Sequence, residues 1–170
     1  GEGRVRHLSF AHFGAARLRE LQRLAASEGL TPIRTALAEY NLMHRAEVEK
    51  ELVPAAQEAG VSLLARLPLA SGFLSGEVRS KTDLPANPLF DGALEHVGRK
   101  GFRVLEVLGQ IAALRGTTSA SVALAWLLGR TGVTAAIVRI NNLAALADSM
   151  SGASFTLTRH ESLLLDEASA

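Results

Sequence analysis

The sequence predicts an α/β fold in which parallel strands alternate with helices. Four short apolar runs alternate with segments whose apolar residues recur at helical spacing. The first three runs begin about 28 residues apart, the length that strand–helix units need. Such alternation implies a parallel sheet with helices packed outside it.

Val5 to Ala11 reads as a short first strand. Ala15 to Ser27 follows as a helix, with Leu18, Leu21, Leu24 and Ala25 at helical spacing and Gly29 as its stop. Ile33 to Ala38 is the second strand. Ala46 to Ala59 is helical, with Pro54 in the first turn of a second portion, since an interior proline would break the helix. Gly60 ends it, and Val61 to Arg66 is the third strand. An irregular segment, Glu77 to Arg99, holds Pro85 and Pro88. Helix resumes from Phe102 to Leu114, with Val104, Leu105, Leu108, Ile111 and Ala112 on one face. Thr118 is placed to cap a nearly all-apolar helix, Ser119 to Leu128, which carries the only tryptophan, Trp126. Ala135 to Ile140 is the fourth strand and Leu143 to Met150 a helix. Thr158 and Glu161 form a capping box that opens a last helix through Ala168. No long linker interrupts the pattern, so residues 1–170 read as one domain.

A chain of 170 residues, 48% hydrophobic and 21% charged, has globular composition and can bury a sizeable core. With 18 basic and 17 acidic side chains it carries no electrostatic footprint for nucleic acid or for an anionic membrane. The lack of cysteine excludes disulfides and thiolate chemistry. His7, His44, His96 and His160 are scattered without metal-ligand spacing, so no metal is expected. No apolar run approaches the roughly 18–20 residues of a membrane helix, and the first residues have no signal-peptide core. A cytoplasmic protein is the expectation.

Ligand chemistry is expected between Val61 and Gly76, because a buried parallel strand ending in a glycine-bearing loop is a natural ligand position. No GxxxxGK, complete GxGxxG or GxSxG pattern is present, so Gly72 and Gly76 read as turn residues. His12, at a strand's C-terminal end, reads as an acid–base group, a polar ligand contact, or an ordinary loop histidine. Glu39 and Tyr40 read as substrate contacts or loop anchors. Arg66 reads as an anion site or as half of a structural ion pair with an Asp or Glu from a missing half, and the ion pair is expected.

Three segments carry a resemblance: Glu2 to Leu8, Glu39-Tyr-Asn-Leu-Met-His-Arg45, and Pro68-Leu-Ala-Ser-Gly-Phe-Leu-Ser-Gly76. In order and combination they resemble the aldo-keto reductases, with the last similar to the subgroup that includes potassium-channel β-subunits. The resemblance implies the C-terminal half, from the fifth strand onward, of a (β/α)8 TIM barrel that binds NADP(H) and reduces carbonyls. The family's catalytic Tyr, Asp and Lys lie in the other half and have no counterpart here. The cofactor positions that the resemblance implies are His12, Arg66, Leu67, Pro68, Leu69, Ala70, Asn141 and Asp148. Pro68, Leu69 and Ala70 match the family along the pyrophosphate path, and Asp148 is kept at the adenine end. Elsewhere the residues depart from it. Ala11-His12 replaces Ser-Asn at the carboxamide, Leu37 replaces Gln, Arg66 replaces the aromatic that stacks on the nicotinamide, and Leu67 replaces Ser. Glu77 stands for a basic residue, Arg139 for Gly, Asn141 for the Ser or Arg near the 2′-phosphate, and Ala145 and Ser149 for Gln and Asn.

Half a barrel leaves two open edges and an uncovered inner face, on which Leu8, Phe10, Leu63 and Ala65 are expected. The expected partner is the missing N-terminal half-barrel or a second copy of the chain. The third outcome is an open sandwich covered by its own helices, to which the apolar helix ending at Leu128 could contribute. A start at Gly1-Glu2-Gly3 without Met reads as truncation or processing. Two functions follow from these residues. One is a non-catalytic scaffold or assembly module; the other is the cofactor-binding half of an NADP(H)-dependent carbonyl oxidoreductase that needs an N-terminal half.

Overall fold

The computed structural model describes residues 4–78, 80 and 88–170. Strands β1 (Leu8–Ala11), β2 (Ile33–Glu39), β3 (Ser62–Arg66) and β4 (Val133–Ile137) form one sheet in the order β1-β2-β3-β4, every pair parallel. Helix α1 (Ala15–Ser27) connects β1 to β2. A π-helical turn, Val48–Leu52, runs into α2 (Val53–Glu58) before β3. Two 3-10 turns, Phe73–Ser75 and Pro88–His96, lead to α3 (Arg99–Arg115) and α4 (Ser119–Leu128) before β4. Helices α5 (Leu143–Ser154) and α6 (Arg159–Ala168) follow. Strands that advance one place at a time through same-handed crossovers bring their helices to a single face. This is the α/β arrangement of part of a TIM barrel.

Strand burial shows the same one-sidedness. The register pairs Phe10 with Ala36 and Ala36 with Leu63, and puts Ala65 beside Ala38. Phe10, Ala36, Leu63 and Ala65 are buried in one core with Leu18 of α1, Ala55 of α2, Leu108 of α3 and Val122 of α4. The alternate set, Thr35 with Ser62, Leu37 with Leu64 and Glu39 with Arg66, lies on the opposite, half-covered face. The sequence expectation for the open face is therefore corrected: Phe10, Leu63 and Ala65 meet the helices, and Leu8 alone of the four is exposed, at 39%. Period-2 alternation separates two sets of side chains but does not say which set the helices cover. Helix α4 is likewise in the outer layer, packed on α3, α5 and β4, and does not lie over the open face.

Local sequence accounts for most element ends. Thr118 Oγ1 accepts a hydrogen bond from Ser121 N at 3.2 Å at the start of α4. At α6 the Thr158–Glu161 capping box is complete, with Thr158 N donating to Glu161 Oε2 at 2.7 Å. Pro54 stands in the first turn of α2, just after the π-helical turn gives way to α-helix. The helix after β4 runs on to Ser154 and is capped by Asn142, whose Oδ1 accepts from Ala145 N at 2.8 Å. Strand β4 begins two residues earlier than expected, at Val133, because it pairs there with Leu63. Pro85, and Glu2 and Gly3 of the first resembling segment, lie outside the described residues.

One ionic network fastens the exit of β2 to the far end of the chain. Arg45 donates to Asp166 Oδ1 at 2.6 Å and to Glu49 Oε2 at 2.8 Å, while Arg130 reaches Asp166 Oδ2 at 3.1 Å and Glu49 at 3.2 Å. Trp126 Nε1 donates to Asp166 Oδ1 at 3.0 Å, and both guanidinium groups lie about 5 Å from its ring centre. Burial works against the Asp166 carboxylate. The Trp126 hydrogen bond and the Arg45 and Arg130 charges outweigh that and hold its pKa below the usual value. Tyr40, 1% exposed, donates to Glu49 Oε1 at 2.7 Å and meets Trp126 edge-on. Among the described residues, no single helix is long and apolar enough to cross a membrane.

Candidate functional site

Parallel β/α units present their ligands at the C-terminal ends of the strands, and here those ends carry the polar residues of the open face. Glu39 closes β2 and Arg66 closes β3; the register sets them side by side, and Arg66 Nη2 lies 3.4 Å from Glu39 Oε2. Both are about one-third exposed, so the pair is solvated and weak in energy. Its effect is positional: it occupies both charges with each other. Arg66 is thus in an ion pair, but the expectation of a partner from a missing half is corrected: the carboxylate is Glu39 on the adjacent strand of the same chain, brought beside it by the register of β2 against β3.

The chain beyond Arg66 takes an unusual path. Leu67, Ala70 and Ser71 all have φ near +50°, Gly72 and Gly76 have φ of 88° and 84°, and a 3-10 turn lies between the glycines. His12, after β1, is the other described non-glycine residue in the left-handed region, with φ of 64°. Each such residue costs about 1–2 kcal/mol unless its surroundings hold it. The holding group here is Asn41, fully buried behind Tyr40. Its Nδ2 donates to the Leu67 carbonyl at 2.9 Å, and its Oδ1 accepts from Met43 N and His44 N, each at 2.9 Å. Tyr40 N adds a bond to the Arg66 carbonyl at 3.2 Å. Within the loop, Ala70 N bonds Leu67 O and Ser75 Oγ bonds Gly72 O, which closes it on itself.

A solvent-open cleft of about 320 Å³ is lined by residues from the ends of β1 and β2 and from the Val48–Leu52 turn, with Arg66 on its wall. Its walls include His12, Leu37, Glu39, His44, Glu47 and Arg66. Glu51 adds a third carboxylate, against the single guanidinium of Arg66. His96, the last residue of the Pro88–His96 turn, packs its ring 5.6 Å from that of Phe73. Burial lowers its pKa, with His44 and Lys100 adding to the effect against Glu95 and Glu39.

Of the residues singled out in the sequence, the structure brings His12, Leu37, Glu39 and Arg66 to one cleft. Pro68 and Ala70 are buried in the loop after β3, with Leu67 and Leu69 half-buried beside them. Asn141 and Asp148 stand apart from the cleft: Asn141 is exposed beyond β4, and Asp148 is on α5, where its carbonyl accepts from Ser121 Oγ at 2.9 Å. The sequence reading missed Asn41, which holds the loop, and the cleft walls His44, Glu47 and Glu51. Asn41 had a signal, since an asparagine just after a strand favours an Asx turn.

The residues present do not fit a dinucleotide of the implied kind. Where the resemblance puts a flat aromatic ring, a guanidinium is engaged by a carboxylate. Leu37 and Leu67 offer no side-chain hydrogen bond at the positions where the resemblance implies one, and three glutamates line the cleft beside Arg66.

The Aldo/keto reductase family model matches residues 1–170. The chain is 30% identical over 167 residues to an aldo-keto reductase of Metarhizium robertsii, covering 97% of this chain and 44% of that protein. It is 29% identical over 172 residues to a Schizosaccharomyces pombe protein named for aryl-alcohol dehydrogenase, covering 97% of this chain and 46% of the other. The chain spans about half the length of the curated relatives it matches.

Proposed function

The chain belongs to the aldo/keto reductase family, and from that premise we propose that it is a non-catalytic assembly module: a reductase-type half-barrel that keeps the scaffold and has given up the cofactor. The Glu39–Arg66 pair carries this reading. A nicotinamide ring stacked at the end of β3 would have to displace Glu39 from Arg66 or lie against a cation, and the oxidised ring is itself positive. Each buried hydrogen-bond partner lost from a ligand costs about 1–3 kcal/mol. Three or four such losses turn a micromolar site into one beyond millimolar.

A titration of the chain with NADPH, followed by the fluorescence of the nucleotide, tests this. The reading expects no saturable change up to millimolar nucleotide. A saturable isotherm in the micromolar range refutes it. Trp126 is a poor reporter for this purpose, because its ring is held in the Arg45–Arg130 network and does not line the cleft.

The Leu67–Gly76 backbone favours a second reading, in which the chain is the NADP(H)-binding half of a carbonyl oxidoreductase completed by an N-terminal half. Pro68, Leu69 and Ala70 match the resemblance there, and a buried asparagine holds the left-handed residue Leu67 before them. This reading expects saturable NADPH binding once the N-terminal half of a relative is supplied, and none without it. Absence of binding in the mixture sets it aside.

A further inference from the structure

We propose that helix α6 clamps the loop after β3 through the turn that leaves β2, so that docking of α6 fixes both the left-handed path from Leu67 and one wall of the cleft. The coupling holds whether or not a nucleotide binds, and so goes beyond the assembly reading.

The turn, residues 40–45, grips the loop at its start. Tyr40 N donates to the Arg66 carbonyl at 3.2 Å, and Asn41 Nδ2 donates to the Leu67 carbonyl at 2.9 Å. Those two carbonyls bracket the point where the backbone enters the left-handed region, with φ of 51° at Leu67. The turn also closes on itself. Asn41 and His44 exchange both backbone hydrogen bonds, and Asn41 Oδ1 accepts from Met43 N and His44 N. So tightly bonded a segment shifts as one piece, and a pull on either end reaches Asn41.

Both ends of the turn are held by charges that converge on α6. At its exit Arg45 donates to Asp166 Oδ1 at 2.6 Å and to Ser169 Oγ at 2.9 Å, across 121 and 124 positions of the chain. At its entry the Tyr40 hydroxyl donates to Glu49 Oε1 at 2.7 Å. Arg130 joins that oxygen, at 3.2 Å, to Asp166 Oδ2, at 3.1 Å. The two arms meet at Asp166.

The clamp is built to release before the sheet does. Helix α6 buries only Leu165 and Ala168 of its ten residues. Much of its remaining hold is polar, including Arg103 Nε donating to the Ala168 carbonyl at 2.9 Å. A helix with few buried apolar side chains opens at lower free energy than the strands of a core. The turn carries His44 to the cleft wall, and Arg45 bonds Glu49, which stands between the wall residues Glu47 and Glu51, at 2.8 Å. Contiguous hydrogen-bonded groups of this kind can carry energetic coupling between distant elements.

Hydrogen exchange of the whole chain, resolved by residue, tests the coupling. The reporters are the amides of Ala70, Phe73, Leu74 and Ser75, which bond within the loop, read as a ratio to amides of β2 and β3. In Asp166→Asn the ratio should rise at least about ten-fold. Gly152→Ala, which crowds the α4–α5 contact instead, should leave it unchanged. In an Asn41→Ala background the turn has already let go of Leu67, so adding Asp166→Asn should raise the ratio by less than about two-fold. Ser169→Ala is the milder cut, removing one partner of Arg45, and should raise the ratio about two- to three-fold. An unchanged ratio in Asp166→Asn or Ser169→Ala, an equal rise in Gly152→Ala, or the full ten-fold step on top of Asn41→Ala overturns the proposal.

Discussion

The buried amide of Asn41 hydrogen-bonds the carbonyl of Leu67 at 2.9 Å, joining the exit of β2 to the first left-handed residue of the loop after β3. Asn41→Ala removes that donor and also the acceptor of two backbone N–H groups, so a loss of about 1–3 kcal/mol in unfolding free energy is expected. Asn41→Asp keeps the acceptor but sets a carboxylate against a carbonyl, and should lose at least as much. Urea denaturation measures both, and hydrogen exchange should rise first in residues 67–76. Unchanged exchange there in Asn41→Ala would detach the asparagine from the loop.

Asp166 answers two arginines and an indole. Asp166→Asn leaves Arg45 and Arg130 facing Trp126 with only Glu49 for balance. The expected cost is about 2–3 kcal/mol, below that of a fully enclosed pair because water reaches the group. The exposed pair Arg17–Glu20, at 2.6 Å on α1, is the control: breaking it should cost less than about 1 kcal/mol. Equal losses in the two variants would mean that the network contributes no more than a surface ion pair.

Acid should loosen the fold in two stages. Burial favours neutral His96, so its contribution is complete above the ordinary histidine pKa, near 6.5, and is lost as pH falls through its lowered folded value. Asp166 and Glu161 are lowered carboxylates, so theirs is complete above about pH 4 and lost further down, as they protonate in the folded state. Melting temperatures from pH 8 to 3 should show both steps, and His96→Gln should remove only the upper one. A single step at low pH in the unaltered chain would count against this assignment of His96.

Two helix glycines should respond with opposite signs. A Cβ on Gly109 meets nothing within 4 Å, so Gly109→Ala in α3 should gain about 0.5–1 kcal/mol from helix propensity alone. A Cβ on Gly152 would lie 2.8 Å from Leu124 Cβ and 2.9 Å from Ser121 O, where α5 crosses α4. Gly152→Ala should therefore cost about 1–3 kcal/mol by pushing the helices apart. Thermal denaturation of the two variants reads the difference, and a stabilised Gly152→Ala would show that the α4–α5 contact yields easily.

Much of this architecture is legible in the sequence because its signals are local. The span of α1, the Thr118 cap and the Thr158–Glu161 box each depend on residues within a few positions of one another. Features decided at long range are not legible. Which strand face the helices cover was inverted for Phe10, Leu63 and Ala65, since alternation alone has no inside or outside. The left-handed backbone at Leu67, Ala70 and Ser71 is hidden because those residues do not favour it; Asn41, 26 residues before Leu67, helps to hold it. The Arg66 ion pair was legible as a type of contact, while its partner depended on the register of β2 against β3.

The proposed loss of the dinucleotide rests on the salt-bridged pair Glu39–Arg66. Equilibrium dialysis of NADPH against the chain tests it most directly. The expected result is equal nucleotide on both sides of the membrane up to millimolar concentration, and saturable retention at one nucleotide per chain with a micromolar Kd would contradict it.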